Sequence, residues 1–471
     1  MTLSADVAAT LQPGFPGTTV PEWLVRAGGE GLVSVCLYGD NVAGADGLAG
    51  VCAALHERMP GVLLAVDEEG GDVTRLHYPA GSTAVGNAVL GRLDDPSTTR
   101  AVAASIGAEL AALGIGLDLA PDVDVNSSPD NPVIGVRSFG DDPVLVARHA
   151  AAWVEGLQST GVAACAKHFP GHGDTVVDSH HGLPRVDVSL EVVHERELAP
   201  FRAAVAAGVG AVMTSHIIVS ALDPHRPATF SRIVIGVLRH ELGFSGVVVS
   251  DALDMAGASA ETGIPEAAVR ALVAGVDLLC LGSQTLPETY AAVHAAVLAA
   301  VRSGRLPEHR VVEAAGRVRA LAAATSERMP RHGIRADLTA SPMLADENVV
   351  RAFRVGEAAR AWLAAAGPVA VVQVDSTANL AVGGVAWGPA ALGATVAEAE
   401  VPAGARVAVV GRAIGAGHPA SEVVERLRAA GHDVVLVECG WPRGGADIET
   451  FGGSPAVAGP LLALLRGEVS P

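Results

Sequence analysis

The stretch AKHFPGHGDTVVDSHHG, Ala166 to Gly182, gathers four histidines (His168, His172, His180, His181), two aspartates (Asp174, Asp178) and three glycines. Three kinds of chemistry suit such a loop. His168 and His172 have i, i+4 spacing, and Asp174, His180 and His181 could complete a metal site. That spacing serves a metal when it lies on a helix, and Pro170, Gly171 and Gly173 forbid a helix here. Alternatively, Asp178 and His180 are separated only by Ser179. On an extended or turning loop the carboxylate can hold one imidazole nitrogen and leave the other to donate a proton. The bland alternative is a loop stitched together by its own hydrogen bonds, a part that suits Asp174 and Thr175.

A general acid needs a partner. GVVVSDALDM ends a buried apolar run with Asp251, and Asp254 follows on the next turn. A carboxylate at a strand end, opposite a proton donor, is the layout of a retaining glycosidase, in which it attacks the anomeric carbon.

These residues must be positioned by regular elements. Short apolar runs begin at Val33, Gly116, Val162, Ala211 and Val276, and two more end at Asp67 and Asp251. Amphipathic segments such as TTRAVAASIGAELAAL, DPVLVARHAAAWVEGLQ and ELAPFRAAVAAG lie between them. This βαβα alternation implies a parallel sheet. Seven or eight such units in the first 330 residues favour an α/β fold closed as a (β/α)8 barrel of the TIM type. Polar residues cap several runs: Asp67, Asp124, Lys167 with His168, Ser215 with His216, and Asp251. One would mean little, but five converge on the rim where barrel active sites are built. Beyond 330, residues 331–345 read as a linker and 346–471 as a smaller α/β domain. Its strands are GPVAVVQVD, ARVAVVGRA and HDVVLVECG, and its helix is ASEVVERLRAAG. GRAIGAG lacks the spacing of a phosphate-binding fingerprint.

The sequence resembles glycoside hydrolase family 3, in its β-N-acetylglucosaminidase branch. The matching pieces are DEEGGDVTR (Asp67 to Arg75), LAPDVDV (from Leu119), VIGVRSFG (from Val133), KHFPGHGDTVVDSH, MTSHI (from Met213) and SDALDM (from Ser250). The resemblance implies a (β/α)8 barrel and an exo-acting β-N-acetylglucosaminidase. It makes Asp251 the nucleophile and Asp178 with His180 the acid/base pair. It places Asp67, Arg137, Lys167 and His168 on the terminal sugar's hydroxyls, with no cofactor and no metal. Arg75 is expected to pair with a loop carboxylate. Asp72 stands where the commoner family pattern is basic, a change expected to alter how the entrance treats anionic substrates. The second domain is much shorter than in the large two-domain members.

An imidazole acid does not repel phosphate as a carboxylate would, so a phosphorylase on the same scaffold is a second reading. A metal-dependent barrel hydrolase and a non-catalytic sugar-binding protein are the others, the last disfavoured because both catalytic positions are filled. The formal net charge of −19 argues against nucleic acid or anionic membrane as partner. A small carbohydrate is the expected partner. With 3% aromatic residues, a sugar site must rely on hydrogen bonds more than on stacking. Five widely spaced cysteines read as reduced core thiols. The first residues lack the basic and apolar regions of a signal peptide, and no run is long enough to cross a bilayer. A cytoplasmic location is the expectation.

Overall fold

Eight short parallel strands close into a ring in the computed structural model, which describes residues 2–42, 47–175, 183–329, 344–376 and 381–471. They are β1 (Leu11–Gln12), β2 (Ser34–Cys36), β3 (Leu63–Val66), β4 (Ile115–Asp118), β5 (Ala163–Phe169), β6 (Ala211–Thr214), β7 (Val247–Ser250) and β8 (Leu279–Cys280). Strands β2 to β7 pair in chain order. A bridge between Val249 and Leu278 joins β7 to β8, and β8 pairs with β1. The Cys36 N–H donates to the Pro13 carbonyl and closes β1 on β2. The (β/α)8 barrel expected from the alternation is present. Its first strand is two residues long, too short to show a period, and the apolar-run reading passes over it.

Strand alternation sorts the side chains. Cys36, Leu63, Ala65, Leu117, Ala163, Cys165, Ala211, Val247 and Val249 point inward and pack as one cluster. The residues between them, such as Val35, Leu64, Ala164, Val212 and Val248, face outward and join the core beneath the helices. Burial on both faces explains why the strands read as unbroken apolar runs. The helix Glu308–Arg328 closes one end of the barrel, with Val318 and Ala322 in the inner cluster. The surrounding helices start where the sequence signals. The Asp95 carboxylate accepts from Ser97 N–H ahead of Pro96–Ala112, and the Asp142 carboxylate accepts from Val144 N–H ahead of Pro143–Gln158.

The C-terminal part is a smaller five-stranded α/β unit. Strands β9 (Arg354–Val355), β10 (Val369–Gln373), β11 (Arg406–Gly411), β12 (Val434–Glu438) and β13 (Ile448–Glu449) lie in the order β9-β13-β12-β11-β10. Only the β9 pairing is antiparallel. β10, β11 and β12 are the three runs anticipated from sequence, and the anticipated helix is Pro419–Ala429. The helix Pro455–Arg466 escapes a pattern reading because Pro460 sits inside it.

Asp72 joins the two units. Its carboxylate lies 3.1 Å from Arg412 Nη2 and accepts from Gly453 N–H at 3.0 Å. The expectation that Asp72 alters the entrance for anionic substrates gives way to this: its charge is engaged by the second unit. Most of the 331–345 linker lies outside the described residues.

Candidate active site

The inward alternation that fills the barrel continues past the strand ends. Counting by twos from Leu63 and Ala65 gives Asp67. From Ala163 and Cys165 it gives Lys167, and from Val247 and Val249 it gives Asp251. Cys36 leads to Tyr38, Leu117 to Leu119, Ala211 to Met213, and Leu278 to Cys280. All seven of these side chains line one cavity of about 300 Å³ at the mouth of the barrel. Arg137, His168, His172 and Asp254 line it too. A larger cavity, of about 800 Å³, lies among Arg226, Phe230, Glu261 and Arg270 and contains none of this strand-end layer. The chemistry belongs to the smaller one.

The segment DEEGGDVTR splits its four carboxylates by duty, Asp72 reaching the second unit. Glu68 turns away from the pocket and accepts from Thr74 Oγ1, Arg75 N–H and Leu76 N–H at 2.7–2.9 Å, folding the loop back on itself. Asp67 accepts from Lys167 Nζ at 2.6 Å. Glu69 accepts a fork from Arg137 (2.8 and 2.9 Å) and lies 2.8 Å from Lys167 Nζ. Burial pushes the Glu69 carboxyl up, but Arg137 and Lys167 outweigh burial and hold it well below the ordinary range. Both cations stay charged against their own burial, Lys167 through Asp67 and Glu69, Arg137 through Glu69 and Asp122. The result is a fixed array of two cationic donors and two carboxylates around one wall of the pocket.

His168 sits beside this array. Its Nδ1 is 2.7 Å from Asp124 Oδ2, and its Nε2 is 3.4 Å from Arg137 Nη2. Burial, and then the Arg137 charge, lower its pKa to about 4. It is therefore neutral near pH 7, and these partners assign the Nδ1–H tautomer. The other Asp124 oxygen accepts from the His168 and His172 N–H groups at 3.2 and 2.7 Å. One buried carboxylate thus sets the shape of the HFPGH turn. The Asp251 segment is braced similarly. Asp251 Oδ1 accepts from Ala252 N–H at 2.8 Å, and His216 Nε2 stands 3.0 Å from the Ala252 carbonyl. Asp254 packs against Gly282, where a Cβ would collide with its carboxylate.

Asp67, Arg137, Lys167, His168 and Asp251 are therefore brought together. Asp178, His180 and His181 lie outside the described residues. Glu69 and Asp124 have a larger part than the strand-end reading assigns them. Glu69 sits two positions past Asp67, so the period-2 rule could have flagged it. Asp124 needed the third dimension. Arg75 departs from expectation: its backbone N–H meets Glu68, but its guanidinium donates to the carbonyls of Thr74 and Ala381.

The metal reading also changes. Asp174 faces Arg196 at 2.7 Å, and His172 Nδ1 lies 2.8 Å from Thr175 Oγ1. Among the described residues, ligand atoms of Asp122, Asp124 and His168 lie within 4.8 Å of one another. Arg137 stands 3.5 Å from Asp122, and Asp124 already accepts from His168 and His172. Burial and Asp124 raise the Asp122 pKa to about 8. The cluster carries its own cation and donors, which is a poor fit to an added metal ion.

A parallel barrel with a carboxylate at one strand end, facing a wall of charged side chains, is an arrangement that suits a glycoside hydrolase. The model for the glycosyl hydrolase family 3 N terminal domain matches residues 27–321, and the chain belongs to that family. It is 44% identical over 234 residues to beta-hexosaminidase A of Pseudoalteromonas piscicida, across 46% of this chain and 39% of that protein. It is 38% identical over 268 residues to a beta-hexosaminidase of Alkalilimnicola ehrlichii, across 54% of this chain and 75% of that one. A glycoside hydrolase family 3 beta-N-acetylglucosaminidase from Paenibacillus sp. str. FPU-7 superposes with a TM-score of 0.86 at 30% identity. That match covers 100% of this chain and 97% of the other. The chain spans well under half of the first of these relatives.

Proposed function

We propose that this enzyme is a retaining exo-β-N-acetylglucosaminidase. Asp251 attacks the anomeric carbon and forms a glycosyl ester, which water then opens. His180, held by Asp178, protonates the leaving oxygen and afterwards deprotonates the water. Asp67, Arg137, Lys167 and His168 hold the terminal sugar's hydroxyls. The observation that carries this reading is the single inward layer, which sets Asp251 in the same cavity as the Asp67–Lys167–Glu69–Arg137 array. Exo action is part of the same reading. The hexosaminidase names of the relatives favour water over phosphate as acceptor.

The testing experiment compares kcat/KM for matched aryl glycosides. The N-acetyl-β-glucosaminide should exceed the β-glucoside, and a clear preference for the glucoside overturns the proposal. Metal removal is a second test. Prolonged exposure to EDTA should leave the rate unchanged, because the Arg137 guanidinium and the His168 and His172 N–H groups already face the Asp122 and Asp124 carboxylates. Loss of activity restored by zinc would return the metal-dependent reading to first place.

We also read the division as barrel 1–330, linker 331–345 and second domain 346–471. No helix among the described residues is long and apolar enough to cross a membrane. The proposal of a cytoplasmic enzyme is supported by five buried, unpaired cysteines.

A further inference from the structure

The turn that precedes Asp178 and His180 rests on a group with no role so far. Glu197 ends the wide helical turn Val193–Glu197, just before the helix Leu198–Ala206. It is 2% exposed and lies directly under Gly171. Gly171 has φ +134, and a Cβ there would run into the Glu197 carboxylate. Only glycine permits this approach. Arg196 Nε donates to Glu197 Oε1 at 2.7 Å, and the same guanidinium donates through Nη2 to Asp174 Oδ2 at 2.7 Å. The second Glu197 oxygen has no hydrogen-bond partner among the described residues. A buried carboxylate with one oxygen unsatisfied is costly, and burial raises its pKa to about 7. The charged groups acting on it are Arg196 on its own element, Asp174 on the loop and Asp124 beyond β4. A core position would ordinarily carry an apolar residue here.

From this geometry we infer that Glu197 is a positioning residue for proton transfer: through Gly171 and the Arg196 bridge to Asp174, it seats the loop root on which the acid/base pair is carried. The opposite side of the root is held independently. Asp124 fixes the His168 and His172 N–H groups, and Asn131 Nδ2 donates to the carbonyls of His172 and Gly173 at 2.8 and 3.1 Å. The root is thus clamped between the β4 loop and the Arg196–Glu197 pair. Wide helical turns of this kind recur at functional sites.

The inference rests on the acid/base assignment above, and the experiment separates the two. Glu197→Gln keeps the volume and removes the charge that orients Arg196. Its kcat/KM should fall about tenfold or more on a substrate with a poor alkoxide leaving group. On an activated aryl glycoside it should fall less than twofold, with the thermal midpoint unchanged. Asp174→Asn should give the same pattern, and the double variant should be no worse than either single one, because both act through Arg196. Equal losses on both substrates, additive losses, or wild-type behaviour would overturn the inference. If Glu197→Gln unfolds, Asp174→Asn alone decides by the same leaving-group comparison. Should His180→Ala itself show no leaving-group dependence, it is the acid/base reading that has failed.

Discussion

Turnover by Asp251→Asn should fall on the order of 10⁴-fold or more, as when other covalent catalysts lose their nucleophile. The amide fills the same space and can keep the 2.8 Å contact with Ala252 N–H. What it loses is the negative charge, and with it the nucleophilicity that the proposed attack on the sugar requires. The substitution lies one residue beyond β7, at a half-buried position, so the barrel core is untouched. The thermal midpoint should therefore stay close to that of the parent. Asp254 is the internal control, since it lines the same cavity. Asp254→Asn should retain far more activity. If it is the more damaging of the two, or if a trapped sugar is found on any residue other than Asp251, the assignment is wrong.

Loss of His180 should depend on what leaves. General acid catalysis contributes roughly 10²- to 10⁴-fold. His180→Ala should therefore be slowed by about that factor on a poor alkoxide leaving group. An activated phenolate departs without a proton, so on that substrate the loss should be slight. Asp178→Ala should show the same trend in weaker form, because the imidazole remains but is less basic and less well held. A leaving-group series on both variants reads this out directly. Uniform slowing across the series would mean that the loop supplies something other than a proton. A leaving-group effect in Asp174→Ala larger than in Asp178→Ala would move the carboxylate role. The contact of Asp174 with Arg196 predicts at most the smaller, indirect effect.

The parts of this enzyme that were legible in sequence share one property: they follow from periodicity. The barrel appears because strands buried on both faces make unbroken apolar runs. Asp67, Lys167 and Asp251 appear because each run ends in a polar residue. The two-residue strand β1 is too short for such a signal, and the helix containing Pro460 contradicts it. The site's electrostatics were harder to read. Glu68 and Glu69 are adjacent and chemically alike, yet one folds its own loop and the other binds Arg137 and Lys167. Only the direction of each side chain separates them. Asp124 is visible as a strand-end acid, but its hold on two N–H groups of another loop requires β4 and β5 to be neighbours. Asp72 was read against a family pattern, and its partner Arg412 is 340 residues away in the chain, a pairing no local pattern can reveal.

The most direct test of the central claim is the anomeric form of the first sugar released. An aryl N-acetyl-β-glucosaminide is hydrolysed in an NMR tube, with and without phosphate, and the anomeric proton is followed before mutarotation. Attack by Asp251 followed by water inverts the centre twice, so the β anomer should appear first, at the same rate in both tubes. Initial release of the α anomer would contradict a covalent Asp251 intermediate, and a sugar phosphate in the second tube would make the enzyme a phosphorylase.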